Sequence, residues 1–184
     1  MTAIFSVSLI LFSVIDIIGS LPIIIGMKRD GVHINPALST IAAGGIMLSF
    51  LFFGSAVLHL FGLEVSSFAM AGALIIFLIG LEMVLGIRIF RDHHEDGGSG
   101  SIVPIAFPLV AGAGTLTTIL SLKAEFDLSP ILIGIVANLL IVYVILKSSD
   151  WITSRISPQV TTTLRKVFGV LLLAIAFQMF RSNI

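Results

Sequence analysis

Six apolar segments divide the chain, and they constrain its fold more than any other feature of the sequence. A helix needs about 20 mostly apolar residues to cross the hydrocarbon core of a bilayer. A soluble domain has about 25% charged residues, whereas only 11% of these 184 residues are charged. The sequence therefore predicts an all-α membrane protein with six transmembrane helices. The six segments are Thr2–Met27, Ala37–Leu63, Val65–Ile87, Ile102–Leu122, Ser129–Leu146 and Leu164–Phe180.

Lysine and arginine residues are distributed unevenly between the two sides of these spans. If the amino terminus is outside, eight of the ten cations fall in cytoplasmic loops, and the outer side keeps Lys123 and Arg181. Cytoplasmic loops of membrane proteins carry an excess of lysine and arginine. The pattern predicts a multi-pass protein of the cell (inner) membrane with both termini on the external side. The eight cytoplasmic cations are Lys28, Arg29, Arg88, Arg91, Lys147, Arg155, Arg165 and Lys166.

Several function classes are excluded by what the sequence lacks. The ten basic and ten acidic side chains balance, so no basic field attracts nucleic acid. Cysteine is absent, and the chain has no phosphate-binding loop, H-E-x-x-H motif or serine nucleophile elbow. The segment His93–Asp96 has metal-ligand residue types, but it lies in a glycine-rich linker without a second cluster, which favours a solvated loop. We predict a protein of the lipid bilayer that is not an enzyme and has no cofactor and no metal.

The chain divides into two similar halves around a central linker. Residues 1–90 hold three spans, residues 91–101 (RDHHEDGGSGS) form a flexible cytoplasmic linker, and residues 102–184 hold the other three spans. Because three is odd, the two halves must enter the membrane in opposite directions. Inverted repeats of this kind are common in secondary transporters, which often have interrupted helices at the binding site. We expect a 3+3 inverted-topology repeat whose first and fourth helices are discontinuous.

An acidic residue and two helix-disturbing residues lie close together in the first span. Asp16 is the only charged side chain in the run 2–27, and Gly19 and Pro22 follow it. Glycine and proline weaken a helix, and a carboxylate inside a membrane is costly. Two interpretations stay open: Asp16 accepts hydrogen bonds from backbone N–H groups freed by a break, or it faces a water-filled cavity as a substrate or proton site. The predicted substrate-binding residues here are Asp16, Ile17, Ile18, Gly19 and Ser20.

The fourth span contains a matching run of small and hydroxylated residues, AGAGTLTT. Glycines at every second position do not repeat on one helix face, so a packing stripe explains them poorly. They suit an unwound turn with exposed backbone N–H groups, followed by a helix start that Thr115 caps. Close helix packing is the alternative. The predicted substrate-binding residues here are Gly112, Ala113, Gly114 and Thr115.

Asn138 is the third candidate, and it lies midway along the fifth span. An uncharged amide at this depth either joins two helices by hydrogen bonds or binds a ligand. Both interpretations stay open, and we include Asn138 among the predicted substrate-binding residues.

At its two interrupted segments the chain resembles the MarC family, also called the neutral amino acid transporter family, of the LysE superfamily. The family's first span carries D-P-x-G-x-x-P, which corresponds here to Asp16–Pro22. Its fourth span carries A-G-P-G and a small or hydroxyl residue, which corresponds to Ala111–Thr115. The chain departs from the family at the proline of each motif, where it has Ile17 and Ala113. The resemblance implies a membrane carrier for small neutral amino acids such as glycine or alanine.

The combined expectation is a secondary transporter that works by alternating access, with its site between broken helices 1 and 4. The substrate carboxylate would meet the backbone near Gly112–Thr115, and the ammonium group would meet carbonyls near Ile17–Ser20. Asp16 would bind the ammonium group or carry a coupling proton; another coupling cation and a homo-oligomeric assembly stay open. The alternative is a channel or exporter pore for another small metabolite or ion.

Overall fold

Most of the described part of the chain is helical. A computed structural model describes residues 2–29, 31–87, 101–155 and 157–182. No strand occurs in these ranges, and the predicted linker at 91–101 lies outside them apart from Ser101. The helical segments are α1 (Thr2–Ile15), α2 (Leu21–Arg29), α3 (Pro36–Leu60), α4 (Val65–Leu85), α5 (Ser101–Val110), α6 (Ala113–Glu125), α7 (Leu128–Arg155) and α8 (Pro158–Ser182).

Four of these helices are long and apolar enough to cross a bilayer, namely α3, α4, α7 and α8. The pair α5 and α6 would make a fifth span, bent by 49° at a short break. Helix α1 is apolar but has only 14 residues, and α2 has nine. The predicted all-α membrane class is therefore confirmed with four to five spans. The sixth span, the inverted repeat and the discontinuous helices stay predictions.

Local signals explain where the long helices begin and end. Asn35 precedes α3, and its side-chain oxygen accepts the N–H groups of Ala37 and Leu38, both at 3.1 Å. Pro36 occupies the first helical position, where a missing N–H group costs nothing. Helix α4 ends at Leu85, and the following Gly86 has a φ of 70°, which suits glycine. The predicted last span at Leu164 begins earlier in the structure, because α8 already starts at Pro158.

The packing core lies between the two halves of the chain. Among the described residues, the main contacts of α1, α2, α3 and α4 are with helices of the second half. The largest is α4 against α8, followed by α1 against α7 and α3 against α5. Fully buried aliphatic side chains from both halves fill this core, among them Leu11, Ile24, Met47, Leu51, Ile119 and Ile135.

Two glycines allow the backbones of α4 and α8 to come into contact. A Cβ atom added to Gly80 would lie 2.9 Å from the carbonyl oxygen of Gly169. A Cβ added to Gly169 would lie 3.0 Å from the carbonyl oxygen of Gly80 and 2.9 Å from Cβ of Met83. Small residues at membrane helix interfaces permit such close contact. The two glycines thus lie at the contact between α4 and α8, the largest helix pair of the fold.

One end of the bundle gathers the ends of α2 and α7 and the start of α8. Lys28 forms an ion pair with Asp150. The guanidinium group of Arg165 lies over Gly26, so a Cβ atom there would be 2.7 Å from its Nε. We call this the basic end. It holds cations that the sequence assigns to the cytoplasm; which side of the membrane it faces stays a prediction.

Candidate functional site

The first predicted break lies between α1 and α2. Helix α1 ends at Ile15, and Asp16 has a left-handed backbone with φ of 44°. The carbonyl oxygen of Asp16 accepts the Ser20 N–H at 3.0 Å and the Ser20 hydroxyl at 3.1 Å. Residues other than glycine seldom adopt left-handed backbone angles, and where they do the chain usually makes a sharp turn. The chain therefore leaves the helix at Asp16 and resumes helical structure at Leu21.

The Asp16 carboxylate is held against the turn that follows it. Its Oδ1 atom accepts the N–H of Gly19 at 3.2 Å. A Cβ atom on Gly19 would lie 2.7 Å from Cγ and 2.8 Å from Oδ1 of Asp16, so only glycine leaves room for this contact. This is the hydrogen bond that the structural interpretation of Asp16 requires. A role in binding substrate or a proton stays a prediction.

Replacing Gly19 with alanine is expected to lower the free energy of unfolding by about 1 kcal/mol, the usual value of a lost side-chain cap. The new methyl group displaces the Asp16 carboxylate, and the Gly19 N–H loses its acceptor. Denaturant titration in detergent micelles measures the change. Gly45→Ala is the matched control, because a Cβ there meets nothing within 4 Å. Equal stability of the two variants would mean that the contact does not stabilise the turn.

The second predicted break lies between α5 and α6. Helix α6 starts at Ala113 after Gly112, whose extended backbone has φ of −74° and ψ of 171°. The Leu116 N–H donates to the Gly112 carbonyl at 2.9 Å. The N–H groups of residues 113–115 precede this bond, so they lie at the positive end of the helix dipole. These three N–H groups lie at the helix start that the sequence predicts here; their binding of a substrate stays a prediction.

The predicted role of Thr115 as the cap of this helix is wrong. Thr115 is the third residue of α6, and its hydroxyl donates to the carbonyl of Val110 at 3.0 Å. That carbonyl ends α5 and needs a donor in a buried environment. The hydroxyl therefore joins the end of α5 to the start of α6, and Gly112 precedes α6 without a side-chain cap.

Two prolines before the glycine-rich motif add an irregularity that the sequence analysis missed. Pro104 and Pro108 lie inside α5, where Val103 and Phe107 have extended backbone angles. Proline lacks an N–H group and restricts the residue before it to extended angles. The spacing SIVPIAFP was the available signal. A Cβ atom on Gly112 would collide with the carbonyl oxygen of Pro108, so the second break depends on both residue types.

The structure brings the two breaks close together. A Cβ atom added to Gly114 would lie 3.6 Å from Cγ1 of Val14, two residues before Asp16. Helices α1 and α6 pack against each other. Ile17, Ala113 and Thr115 are buried, as are Ser20 and Gly112. Asp16 and Ile18 are exposed at the surface of the described chain, and Gly19 and Gly114 are partly buried.

Helix α4 closes one side of the second break. A Cβ atom on Gly72 would overlap the side chain of Ala113 and lie 3.3 Å from its Cα. Glycine at this position therefore allows α4 to reach the start of α6. The lining of the second break is small and apolar on this side.

Asn138 joins α7 to α1 by hydrogen bonds. Its amide nitrogen donates to the carbonyl of Ser8 at 3.1 Å and to the carbonyl of Gly134 at 2.9 Å. The side chain is 2% exposed. A Cβ atom on Gly134 would lie 2.9 Å from Cγ1 of Val7, so the two helices are close here. The contacts are those of the helix-joining interpretation, and ligand binding by Asn138 stays a prediction.

The described ranges contain no metal cluster. No group of three or more histidine or acidic side chains there could hold a metal ion. The segment His93–Asp96 lies outside those ranges. An open depression of about 570 Å³ is lined at the end of α8 by Phe177, Gln178, Arg181 and Ser182.

Comparison with known proteins gives matches over the whole chain. A family model described as "MarC family integral membrane protein" matches residues 1–184. A UPF0056 membrane protein of Methanocaldococcus jannaschii is 29% identical, covering 95% of this chain and 92% of the relative. One of Pyrococcus abyssi is 30% identical, covering 95% and 90%. The UPF0056 inner membrane protein YhgN of Escherichia coli K12 is 26% identical, covering 100% and 97%. No solved structure matches the chain.

Proposed function

The chain belongs to the MarC family of integral membrane proteins, and on that premise we propose that it is a secondary transporter for small neutral amino acids such as glycine and alanine. The observation that carries the proposal is the proximity of two helix interruptions from opposite halves of the chain. Gly114 at the start of α6 lies beside Val14 at the end of α1. Interrupted helices that meet in this way supply free backbone groups for a ligand inside a membrane.

The proposed topology has six spans in a 3+3 inverted repeat, with α1–α2 and α5–α6 as its discontinuous first and fourth spans. The order of segments supports it, because each half has two short helical segments followed by two long ones. Reciprocal packing supports it as well. Helix α1 packs on α7 as α5 packs on α3, and α2 packs on α8 as α6 packs on α4. Such pairs are expected when a two-fold axis in the membrane plane relates the halves.

The helix ends suit the two charges of an amino acid. The start of α6 has the positive end of a helix dipole and the N–H groups of residues 113–115, which favour a carboxylate. The end of α1 has carbonyl groups and the negative end of a dipole, and Asp16 adds a formal negative charge there. These groups favour an ammonium group. The small residues at Gly72, Ala113 and Gly114 suit a substrate with a small side chain.

The alternative, a channel or exporter pore for another small metabolite or ion, has less support. A wet pore needs polar groups along its whole length. The described part of the chain buries six polar side chains, and they are spread over several helices. Unitary currents in planar bilayers would favour the pore. The six are Ser20, Ser39, Ser101, Thr115, Asn138 and Ser149.

The cellular setting follows the same reasoning. The Escherichia coli relative is named an inner membrane protein, which supports a place in the cell (inner) membrane for this chain. The distribution of lysine and arginine supports external termini. A carrier of this kind needs neither an enzyme's catalytic groups nor a bound cofactor. Alternating access can operate in a monomer or a homo-oligomer.

Uptake of labelled glycine and alanine into proteoliposomes tests the proposal. We expect saturable uptake by the wild-type protein that depends on an imposed proton or cation gradient. Asp16→Asn should reduce uptake about tenfold or more, because hydrogen bonds to charged groups contribute about 1.5–3 kcal/mol. Equal uptake by both proteins at every imposed pH gradient would reject the role of Asp16. No uptake of either amino acid by folded wild-type protein would reject the proposed substrate class.

A further inference from the structure

Four side chains at the end of α7 form a ladder in which aromatic and basic residues alternate. Tyr143, Lys147, Trp151 and Arg155 are spaced by four residues, so they lie on one face of the helix. Nζ of Lys147 lies 5.8 Å from the centroid of the Tyr143 ring. Cζ of Arg155 lies 5.0 Å from the centroid of the Trp151 ring. Both distances permit attraction between a cation and an aromatic face. We call these four residues the aromatic–basic ladder.

Three of the four ladder residues are exposed and Tyr143 is partly buried; the two ladder cations have no carboxylate partner among the described residues. Trp151 is 62% exposed, and Lys147 and Arg155 are exposed as well. Asp150 is the nearest acidic residue in the sequence, but it pairs with Lys28 of α2. Each cation therefore contacts a ring while its N–H groups remain available to an anion.

The position of the ladder along α7 corresponds to the headgroup layer of a bilayer. Helix α7 starts at Leu128, directly after Asp127. At 1.5 Å per residue, Lys147 lies about 29 Å and Arg155 about 41 Å from that start. A bilayer has a hydrocarbon core of about 30 Å and a total thickness of about 40–45 Å. With Leu128 at one edge of the core, Lys147 reaches the opposite edge, and Trp151 and Arg155 lie among the headgroups.

The surrounding charge also favours an anion. In the described ranges, the basic end holds six cations and two carboxylates. The four cations outside the ladder are Lys28, Arg29, Arg165 and Lys166; the two carboxylates are Asp150 and Glu82, which lies near the end of α4, the helix packed against α8.

We propose that the aromatic–basic ladder binds the headgroup phosphate of an anionic phospholipid. Arg155 and Lys147 would contact the phosphate, since a guanidinium group stacked on a ring keeps its N–H edge free. The exposed ring of Trp151 and the partly buried ring of Tyr143 would lie at the boundary between headgroups and acyl chains, where such rings are enriched. This apolar part of the surface selects a lipid over a soluble phosphate. The proposal does not depend on what the protein transports.

Lipid titration followed by native mass spectrometry tests the site. The purified full-length protein is titrated with phosphatidylglycerol or with phosphatidylcholine of the same acyl chains. We expect the wild-type protein to bind phosphatidylglycerol at least tenfold more tightly than phosphatidylcholine. The double variant Lys147→Gln/Arg155→Gln should lose about tenfold to thirtyfold of that affinity, because each basic residue near an anionic surface contributes about a factor of five.

A matched control removes the same charge from the other end of the bundle. Lys123 and Arg181 are exposed, and Lys123→Gln/Arg181→Gln should leave phosphatidylglycerol binding unchanged. Equal losses in the two double variants would mean that net charge, rather than the ladder, attracts the lipid, and would overturn the proposal. Complete displacement of bound phosphatidylglycerol by millimolar inorganic phosphate would also overturn the proposal, because the site would then bind a soluble anion.

Trp151→Leu keeps every charge and serves as a second variant. We expect a threefold to tenfold loss of phosphatidylglycerol affinity, because Arg155 loses the ring that orients it. Unchanged affinity would contradict a ladder in which the aromatic residues take part.

Discussion

Gly169→Val is expected to destabilise the protein by about 3 kcal/mol, the upper part of the usual range for overpacking a buried contact. The new Cβ atom would lie 2.8 Å from Cγ2 of Val84 and 3.0 Å from the carbonyl oxygen of Gly80. Because the backbone of α4 is one of the obstacles, rotation of a side chain cannot relieve the overlap. The two helices must separate, and they form the largest helix pair of the fold. Unfolding by sodium dodecyl sulfate in mixed micelles measures the loss.

Gly45→Val is the control for this experiment. It makes the same change in a membrane-spanning helix, at a position where a Cβ atom meets nothing within 4 Å. Its stability should stay within about 0.5 kcal/mol of wild type. If both valine variants lose the same stability, the effect belongs to valine itself and the close crossing of α4 and α8 is not the cause.

Gly112→Ala is expected to reduce uptake of glycine about a hundredfold. The added methyl group collides with the carbonyl oxygen of Pro108, so the backbone between α5 and α6 must move. In the proposed site the N–H groups of residues 113–115 bind the substrate carboxylate, and a displacement of about 1 Å at a positioned group can cost a factor of about 100. Initial rates of uptake into proteoliposomes measure the effect.

Two further variants separate a local effect from general misfolding. Gly114→Ala adds the same methyl group two residues later, where the nearest atoms are at 3.6 and 3.9 Å. Its free energy of unfolding should match wild type, whereas Gly112→Ala should lose about 1–3 kcal/mol. Gly45→Ala should match wild type in uptake and be at least as stable as wild type, because alanine favours a helix over glycine. Wild-type uptake by Gly112→Ala would exclude the second break from the substrate site.

The interruptions were predictable from sequence where they depend on single residues. Asp16 and Gly19 marked the first turn, because a charge and a flexible residue inside an apolar run have few other uses. Pro22 was expected to disturb the helix, yet it is the second residue of α2. Proline is well tolerated in the first turn of a helix, so it helps α2 to start.

The second interruption was only partly predictable. The glycines near Gly112 lie at the 49° bend between α5 and α6, but the irregular backbone extends back through Pro104 and Pro108. The role of Thr115 was also missed. A hydroxyl near a helix start usually accepts a backbone N–H group, and here the carbonyl of Val110 is a closer partner. Which of the two a hydroxyl chooses depends on how the preceding segment is folded.

The partners across the fold could not be predicted from local patterns. Lys28 and Asp150 are separated by 122 positions in the sequence. Gly80 has no local feature that distinguishes it from other small residues of an apolar helix, and its contact with Gly169 is visible only in the structure. Such contacts depend on which helices become neighbours. A single sequence shows that a helix has small residues suited to close packing, but it does not show which other helix will pack against them.

The interleaving of the two halves has a consequence for biogenesis. Helices α1 to α4 make their main contacts with α5 to α8, which the ribosome delivers later. Translation proceeds at about 5–20 residues per second. The first half is therefore in the bilayer for several seconds while the faces that will contact the second half still face lipid. During that interval it lacks the contacts with the second half that fill the core of the mature fold. The growing chain therefore reaches its mature packing only after translation of the last helix.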